Sequence, residues 1–332
     1  MTIRIVSYNI LVPIYASLPY YYHKSERRYL ETDYRWNLTT SQLKQEINDH
    51  ENTIICLQEL SRTLISKCEE FFRELNYTFY YDLYGQIYNN YMGVGIAVPP
   101  SIQITHMSML KISDHIRSLS RPRETLSGMF SWIRPWYNFI SGTLVQSTHD
   151  PWETAMSKNN TLICLQVTVD DKSLCIGVYH MPCLYKTPDV MMIHASIVKD
   201  LMFKLADGKD FILAGDFNIE PHNSCYNMLT GEDVSDYKFP VSSSYEIFYQ
   251  LNSEQVLKSA YREKNGQEPS YTNYSNIIKS SIYCGTLDYI FYRGDLTVQD
   301  VLDVPERPAS ESYPDETHPS DHLMIAGTFR LK

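Results

Sequence analysis

The chain has 332 residues, 43% of them hydrophobic and 20% charged, with a net charge of −10. That composition is ample for a sizeable core, while the acidic balance excludes a large nonspecific footprint on duplex nucleic acid, which needs a basic surface. No run approaches the ~20 apolar residues of a membrane span, and the opening "MTIRIVSYNI" alternates like a strand without the continuous apolar centre of a secretory leader.

In chain order, "IRIVSYNI" reads as a strand, "TSQLKQEINDH" as a helix, "TIICLQEL" as a strand, "LISKCEEFFREL" as a helix and "GVGIAVP" as a strand. Residues 101–158 then carry few strand signals. They predict an insertion-like excursion, either a lid or binding element using Trp132, Trp136 and Tyr137, or a helix pair covering a sheet edge. Beyond it come the strands "NTLICLQVTV" and "SLCIGVYHM", the helix "PDVMMIHASIVKDLMFKLAD", and the strands "FILAGDFNI", "GTLDYIFY" and "DHLMIAGTFRL". Strands with irregularly interposed helices predict an α/β domain of two packed sheets flanked by helices, over 1–332 as one unit. Seven cysteines, with no C-x-x-C pair and mostly in apolar runs, predict reduced thiols in a cytoplasmic protein rather than disulfides or a zinc cluster.

Polar side chains recur where strands end: Asn9 in "SYNIL", Glu59 in "CLQEL", His180 in "VYHMP", Asp216 and Asn218 in "GDFN", and Asp288 in "LDYIF". Asp321 and His322, in "HPSDH", stand just before the last strand. Singly, each has an ordinary explanation in turn formation or solvation. Together, at strand ends that can meet around one cleft, they form a coherent set. Carboxylate and amide oxygens suit Mg²⁺. Imidazole donors suit phosphate oxygens, and a carboxylate beside a histidine sets its tautomer and favours its cation. The sum is a site for metal-assisted attack of water on phosphorus.

The ordered set Asn9, Glu59, His180, Asp216-x-Asn218, Asp288 and Asp321-His322 resembles the endonuclease/exonuclease/phosphatase superfamily. The strings "SYNILVPIYA", "YLETDYRW", "EPSYTNYS", "GTLDYIFY" and "HPSDHL" resemble its branch of catabolite-repression deadenylases, nocturnin and Angel proteins. The resemblance implies a DNase-I-like four-layer α/β sandwich of two mainly antiparallel mixed sheets. It implies Mg²⁺, with Mn²⁺ as a substitute, held by Glu59, Asp216, Asn218 and Asp321. Asn9 supports metal and phosphate, Asp216 orients or deprotonates the attacking water, and Asn218 holds a transition-state oxygen. His180 and His322 donate to phosphate oxygens, and Asp288 orients His322. Tyr283, five positions before the "LDYIF" aspartate, is the implied base-stacking residue, with Tyr185 and Asn273 as further substrate contacts.

Two strings depart from the branch: "NNYMGVGIAVP" holds no lysine or arginine, and "YHMPCLY" follows the histidine differently. The implied activity is a 3′→5′ exoribonuclease on single-stranded RNA ends. The alternatives are a phosphatase or phosphodiesterase of small phosphorylated nucleotides (NADPH, 2′–5′ oligoadenylate, cyclic phosphates) and a non-catalytic RNA-binding module. A monomer without a leucine-rich-repeat recruitment module is expected, because the catalytic pattern starts at residue 3.

Overall fold

The computed structural model describes residues 1–18, 21–123, 150–232, 237–277 and 282–332. Trp132, Trp136 and Tyr137 lie outside the described residues. The first half runs β1 (Thr2–Asn9), α1 (Pro13–Ser17), α2 (Arg27–Leu30), α3 (Thr32–Asp49), β2 (Thr53–Leu60), α4 (Ile65–Glu74), β3 (Thr78–Leu83), β4 (Gly93–Val98), β5 (Gln103–Lys111), α5 (Ile112–Ser118) and β6 (Ser120–Pro122). Next come α6 (Pro151–Met156), β7 (Thr161–Val169), β8 (Lys172–His180), α7 (Pro188–Ala206), β9 (Asp210–Asp216), α8 (Ser224–Thr230) and β10 (Tyr245–Ile247). The remainder is β11 (Lys258–Ser259), α9 (Ala260–Asn265), β12 (Asn273–Ser275), β13 (Tyr283–Gly285), β14 (Asp288–Arg293), β15 (Leu296–Val301) and β16 (Ile325–Leu331).

Two six-stranded sheets carry the structure, in the orders β15-β16-β1-β2-β4-β3 and β11-β14-β9-β8-β7-β5. Each is antiparallel except for one central parallel pair, β1 with β2 and β8 with β9. Strand alternation sorts the layers. Ile3 and Ile5 of β1 point into the core between the sheets with Ile163, Leu165 and Val167 of β7. Val6 and Tyr8 point the other way, against Leu43 of α3 and Phe71 of α4. Leu162 and Cys164 likewise face α7 on the opposite outside. The result is helix, sheet, sheet, helix, as the sequence predicts.

Four strands of the two six-stranded sheets escape the sequence reading: β3, β5, β11 and β15. All four are sheet edges. An edge strand faces water along one side, so it needs fewer apolar residues and shows a weaker pattern. β5 alternates exposed and half-buried along "QITHMSMLK". The expected excursion over 101–158 is corrected accordingly: its first part is this edge strand, paired along its length with β7. Asp288 also differs from its reading as a strand's last residue. It opens β14, and because β14 runs antiparallel to β9, Asp288 pairs with Asp216 at the same end of the sheet.

Candidate active site

The two parallel pairs end at the same place. Asn9 and Glu59 come from β1 and β2, His180 and Asp216 from β8 and β9. Glu59 leaves the strand pattern through a bulge: the register against β4 slips between Gln58 and Leu60, and Glu59 takes a left-handed φ of 59°. Such strain in a non-glycine residue costs about 1–3 kcal/mol and persists where its surroundings hold it. Here the Val12 backbone N–H donates to Glu59 Oε2 at 2.7 Å, and Asn9 Nδ2 donates to Glu59 Oε1 at 3.2 Å.

The same Asn9 amide donates to Asp216 Oδ2 at 2.9 Å. An amide nitrogen carries two hydrogens, so one asparagine can bind two carboxylates at once. Asn9 is itself held by the Leu11 N–H on its Oδ1, at 3.0 Å. Asp216 follows Gly215, where a Cβ would stand 1.8 Å from the Tyr179 carbonyl oxygen. Only glycine lets β9 approach β8 this closely. Past the strand, the Asn218 backbone N–H donates to Asp216 Oδ1 at 2.9 Å, and Asn218 Nδ2 donates to the Met181 carbonyl at 2.9 Å. That leaves the Asn218 Oδ1 as the atom this residue can offer a ligand.

Two imidazoles flank Asp216. His180 Nε2 lies 3.4 Å from Asp216 Oδ2, and His322 Nε2 lies 3.7 Å from the same oxygen. Their other nitrogens differ: His180 Nδ1 meets the Tyr84 hydroxyl at 3.2 Å, whereas His322 Nδ1 meets Asp288 Oδ2 at 2.8 Å. Asp288 Oδ2 also accepts from Thr272 Oγ1 at 2.6 Å, and Asp288 Oδ1 is buried without a hydrogen-bond partner. Asp321 accepts from the Tyr22 hydroxyl at 2.8 Å. Ser320 Oγ donates to the Asn9 carbonyl at 2.7 Å and accepts the His322 N–H at 3.1 Å.

All eight strand-end residues thus meet in one cluster of hydrogen bonds and close charged contacts. Sequence reading missed their supports. Thr272 and Ser320 sit inside "EPSYTNYS" and "HPSDHL", so the strings held them without a role. Arg35 is buried and donates to the carbonyls of Ile10, Leu11 and Pro319, stapling the loops that carry Asn9 and Asp321. Arg35 sits inside "YLETDYRW", which likewise held it without a role, and nothing signalled the part played by Tyr84.

Burial dominates the electrostatics. It pushes the Asp216 carboxyl up to about 7, helped by Asp288 and opposed by His322 and the Asn9 and Asn218 donors. Glu59 is raised for the same reason, against the pull of His180. His180 is lowered by burial, with Glu59 opposing. Burial would lower His322 too, but Asp288 and Asp216 outweigh it and hold the ring well above its ordinary value. One imidazole is therefore neutral and the other cationic at neutral pH.

Asp216, Asp288 and His322 offer ligand atoms all within 4.8 Å of one another. This trio shares only Asp216 with the predicted metal set of Glu59, Asp216, Asn218 and Asp321. Two of its members, His322 through Nδ1 and Asp288 through Oδ2, already bond each other. The donor chemistry of the pocket suits a divalent cation: burial raises Glu59 and Asp216, and a positive charge beside them relieves that penalty.

The substrate contacts expected from sequence are scattered. Tyr185 is 71% exposed, with Lys186 Nζ 5.6 Å from its ring centre. Tyr283 is half-buried on β13, its hydroxyl raised by burial and the neighbouring Glu220. Asn273 is buried and forms a backbone bridge to His322.

A model of the Endonuclease/Exonuclease/phosphatase family matches residues 6–322. The 2′,5′-phosphodiesterase 12 of Mus musculus is 25% identical over 355 residues, covering 99% of this chain and 52% of that protein, so the chain spans about half the length of this relative. Nocturnin of Drosophila melanogaster is 29% identical over 137 residues, which cover 39% of this chain and 20% of that protein. Among solved structures, ANGEL2, a 2′,3′-cyclic phosphatase in complex with adenosine-2′,3′-vanadate, superposes with a TM-score of 0.69 at 17% identity, covering 100% of this chain and 96% of its own. The human nocturnin catalytic domain with bound sulfate superposes at 0.62 and 18% identity, covering 100% and 95%. Both likenesses show the fold. Among the described residues no helix is long and apolar enough to cross a membrane.

Proposed function

The chain belongs to the Endonuclease/Exonuclease/phosphatase family, and on that premise we propose that it is a Mg²⁺-dependent phosphodiesterase removing nucleotides 3′→5′ from single-stranded RNA ends. One observation supports this most: a single amide, Asn9, joins Glu59 to Asp216 in a pocket where two imidazoles face Asp216. Glu59, with Asp216, Asn218 and Asp321 around it, would hold Mg²⁺ or Mn²⁺, which supplies Lewis-acid charge to a phosphoryl oxygen. Asp216 accepts the proton of the attacking water, and its pKa near neutrality fits a general base. His322, kept cationic by Asp288, donates Nε2–H to the phosphoryl group. His180 donates Nε2–H as a neutral ring, its tautomer set by the Tyr84 hydroxyl on Nδ1. Donors placed where transition-state charge develops are typically the largest catalytic term, about a hundredfold or more each. Tyr283 stacks the terminal base, with Tyr185 and Asn273 as further substrate contacts.

A second reading, hydrolysis of small phosphorylated nucleotides, is favoured by two observations. Arg35, the buried guanidinium beside the carboxylates, is spent on three carbonyls. The likeness to 2′,5′-phosphodiesterase 12 runs along 99% of the chain. In either case we take the protein as one domain, a monomer in a reducing cytoplasm; five of its seven cysteines are buried free thiols. Incubation with Mg²⁺ and oligoadenylate RNA, mixed-sequence RNA, 2′–5′ oligoadenylate, RNA ending in a 2′,3′-cyclic phosphate, and NADPH tests this. A ladder shortening from the 3′ end of RNA is expected. Turnover of NADPH, 2′–5′ linkages or cyclic ends alone would move the assignment to the second reading. Absence of any turnover would leave a binding module.

A further inference from the structure

The segment joining β1 to α2 is tied to the site at two points. Before α1, the Val12 N–H binds Glu59 Oε2 at 2.7 Å; after it, the Tyr22 hydroxyl binds Asp321 Oδ2 at 2.8 Å. Between these anchors stand two half-buried tyrosines, Tyr15 and Tyr21. Their rings are parallel to within 12°, with centres 5.8 Å apart. Tyr21 leans in turn on Tyr22, at 5.9 Å and 59°. Two backbone bonds, Leu18 N–H to the Tyr15 carbonyl and Tyr21 N–H to the Leu18 carbonyl, hold the rings in register. Leu11, Ala16 and Tyr22 form the buried floor beneath them.

Packing alone accounts for Tyr22, which is buried and has its hydroxyl satisfied. It does not account for a parallel pair left half in water at the edge of a carboxylate cluster. The Tyr15 hydroxyl is pushed up to about 12 by burial and by the Glu59 carboxylate, with Tyr21, Tyr88 and Cys183 adding to it. This ring therefore lies near the Glu59 carboxylate, which the Val12 N–H, three residues earlier in the same segment, also binds.

The charge around the site points the same way. A long polyanion is held by lysine and arginine along its backbone. Here the buried arginine is occupied and the chain is acidic. Flat aromatic faces supply a further source of affinity that every nucleobase can use.

We propose that the Tyr15–Tyr21 pair is a nucleobase-stacking platform, so that the site takes a short base-bearing nucleotide with one phosphoryl group among the carboxylates. The phosphoryl half of this inference rests on the function proposed above; the platform does not. Binding is read directly, without turnover, by calorimetry with AMP and with ribose 5-phosphate in the presence of Mg²⁺. The wild-type protein is expected to bind AMP about 5- to 150-fold more tightly than ribose 5-phosphate, the equivalent of one stacked base.

Tyr21→Leu, checked for folding by its circular dichroism and melting curve, is expected to weaken that preference about fivefold or more. Tyr21→Phe, which keeps the ring, is expected to retain it. Equal affinity for the two ligands in the wild type, including no measurable binding of either, overturns the platform. So does an unchanged AMP preference in folded Tyr21→Leu. If Tyr21→Leu does not fold, Tyr15→Leu replaces it, with the same expected loss and the same overturning result. If the AMP preference and its loss both appear while no phosphodiester is hydrolysed, the hydrolase reading falls and the platform stands.

Discussion

The parallel pairs β1–β2 and β8–β9 are the same device used twice. Each sits in the middle of an otherwise antiparallel sheet, and each delivers one carboxylate and one nitrogen-bearing side chain at its end. What differs is how the carboxylate is presented. Glu59 is lifted out on a strained bulge, is only half-buried, and accepts a backbone N–H before the site proper. Asp216 is 1% exposed and follows a glycine that lets its strand press against β8. A carboxylate that can be reached suits an incoming cation; one sealed among imidazoles suits proton transfer. The histidines repeat the lesson, since burial keeps His180 below its ordinary value while Asp288 and Asp216 hold His322 well above it.

The most severe way to break this division is Asp216→Asn. Phosphodiester hydrolysis is expected to fall by about a thousandfold or more, read as kcat under saturating substrate. The same change should stabilise the metal-free protein at pH 8. The folded pKa, about 7, lies above the ordinary 3.8, so the stability this carboxyl contributes is full below its ordinary value and lost as pH rises through 7. An amide carries no such penalty, and a rise in melting temperature of about 2 °C or more is expected at pH 8 and none at pH 4. A melting temperature that drops at pH 8 would contradict the placement of a buried, reluctant carboxylate.

Glu59→Gln should cost about a hundredfold in activity. Part of that loss should return at raised Mg²⁺, because the defect lies in holding the cation; a titration of rate against metal separates this from a defect in chemistry. If instead Glu59→Gln is blind to Mg²⁺ concentration and Asp216→Asn is rescued by it, the two roles are exchanged.

Asp288→Asn should cost about tenfold at pH 8 and change the shape of the pH profile. In the wild type the cation of His322 persists above the ordinary 6.5 and is lost as pH rises through its elevated folded value. Without the Asp288 charge that value drops, so the alkaline limb of kcat is expected to move to lower pH. A limb that stays in place would detach His322 from the chemistry.

The gentlest test needs no variant. Because Asp216 is protonated below about 7 in the metal-free protein, Mg²⁺ must displace a proton there. Its affinity should climb with pH between 6 and 8, and calorimetry in two buffers of different ionisation heat should record proton release near neutrality. Identical heats and constants across that range would remove Asp216 from the cation's surroundings.

Much of this was legible in the chain. The strands with strong apolar runs are found where the pattern places them, because a strand covered on both faces is apolar at nearly every position. The polar breaks at their ends marked the side chains that the fold brings together, from Asn9 to His322. The edge strands β3, β5, β11 and β15 were not legible, since one solvent-facing side frees them from that demand. Nor were Tyr84, Arg35 and Tyr22, which look like any tyrosine or arginine in a chain with 27 tyrosines.

Local pattern by itself determined the layers of the fold, the residue types available at the strand ends, and their order along the chain. Tertiary structure decided who faces whom. The antiparallel return of β14 put Asp288 beside Asp216, one asparagine came to bridge two carboxylates from different sheets, and each histidine received its own partner. The reason is range: alternation and turn chemistry act between neighbours in sequence, whereas protonation and ligand geometry depend on groups up to 313 residues apart that only packing brings within a few ångströms.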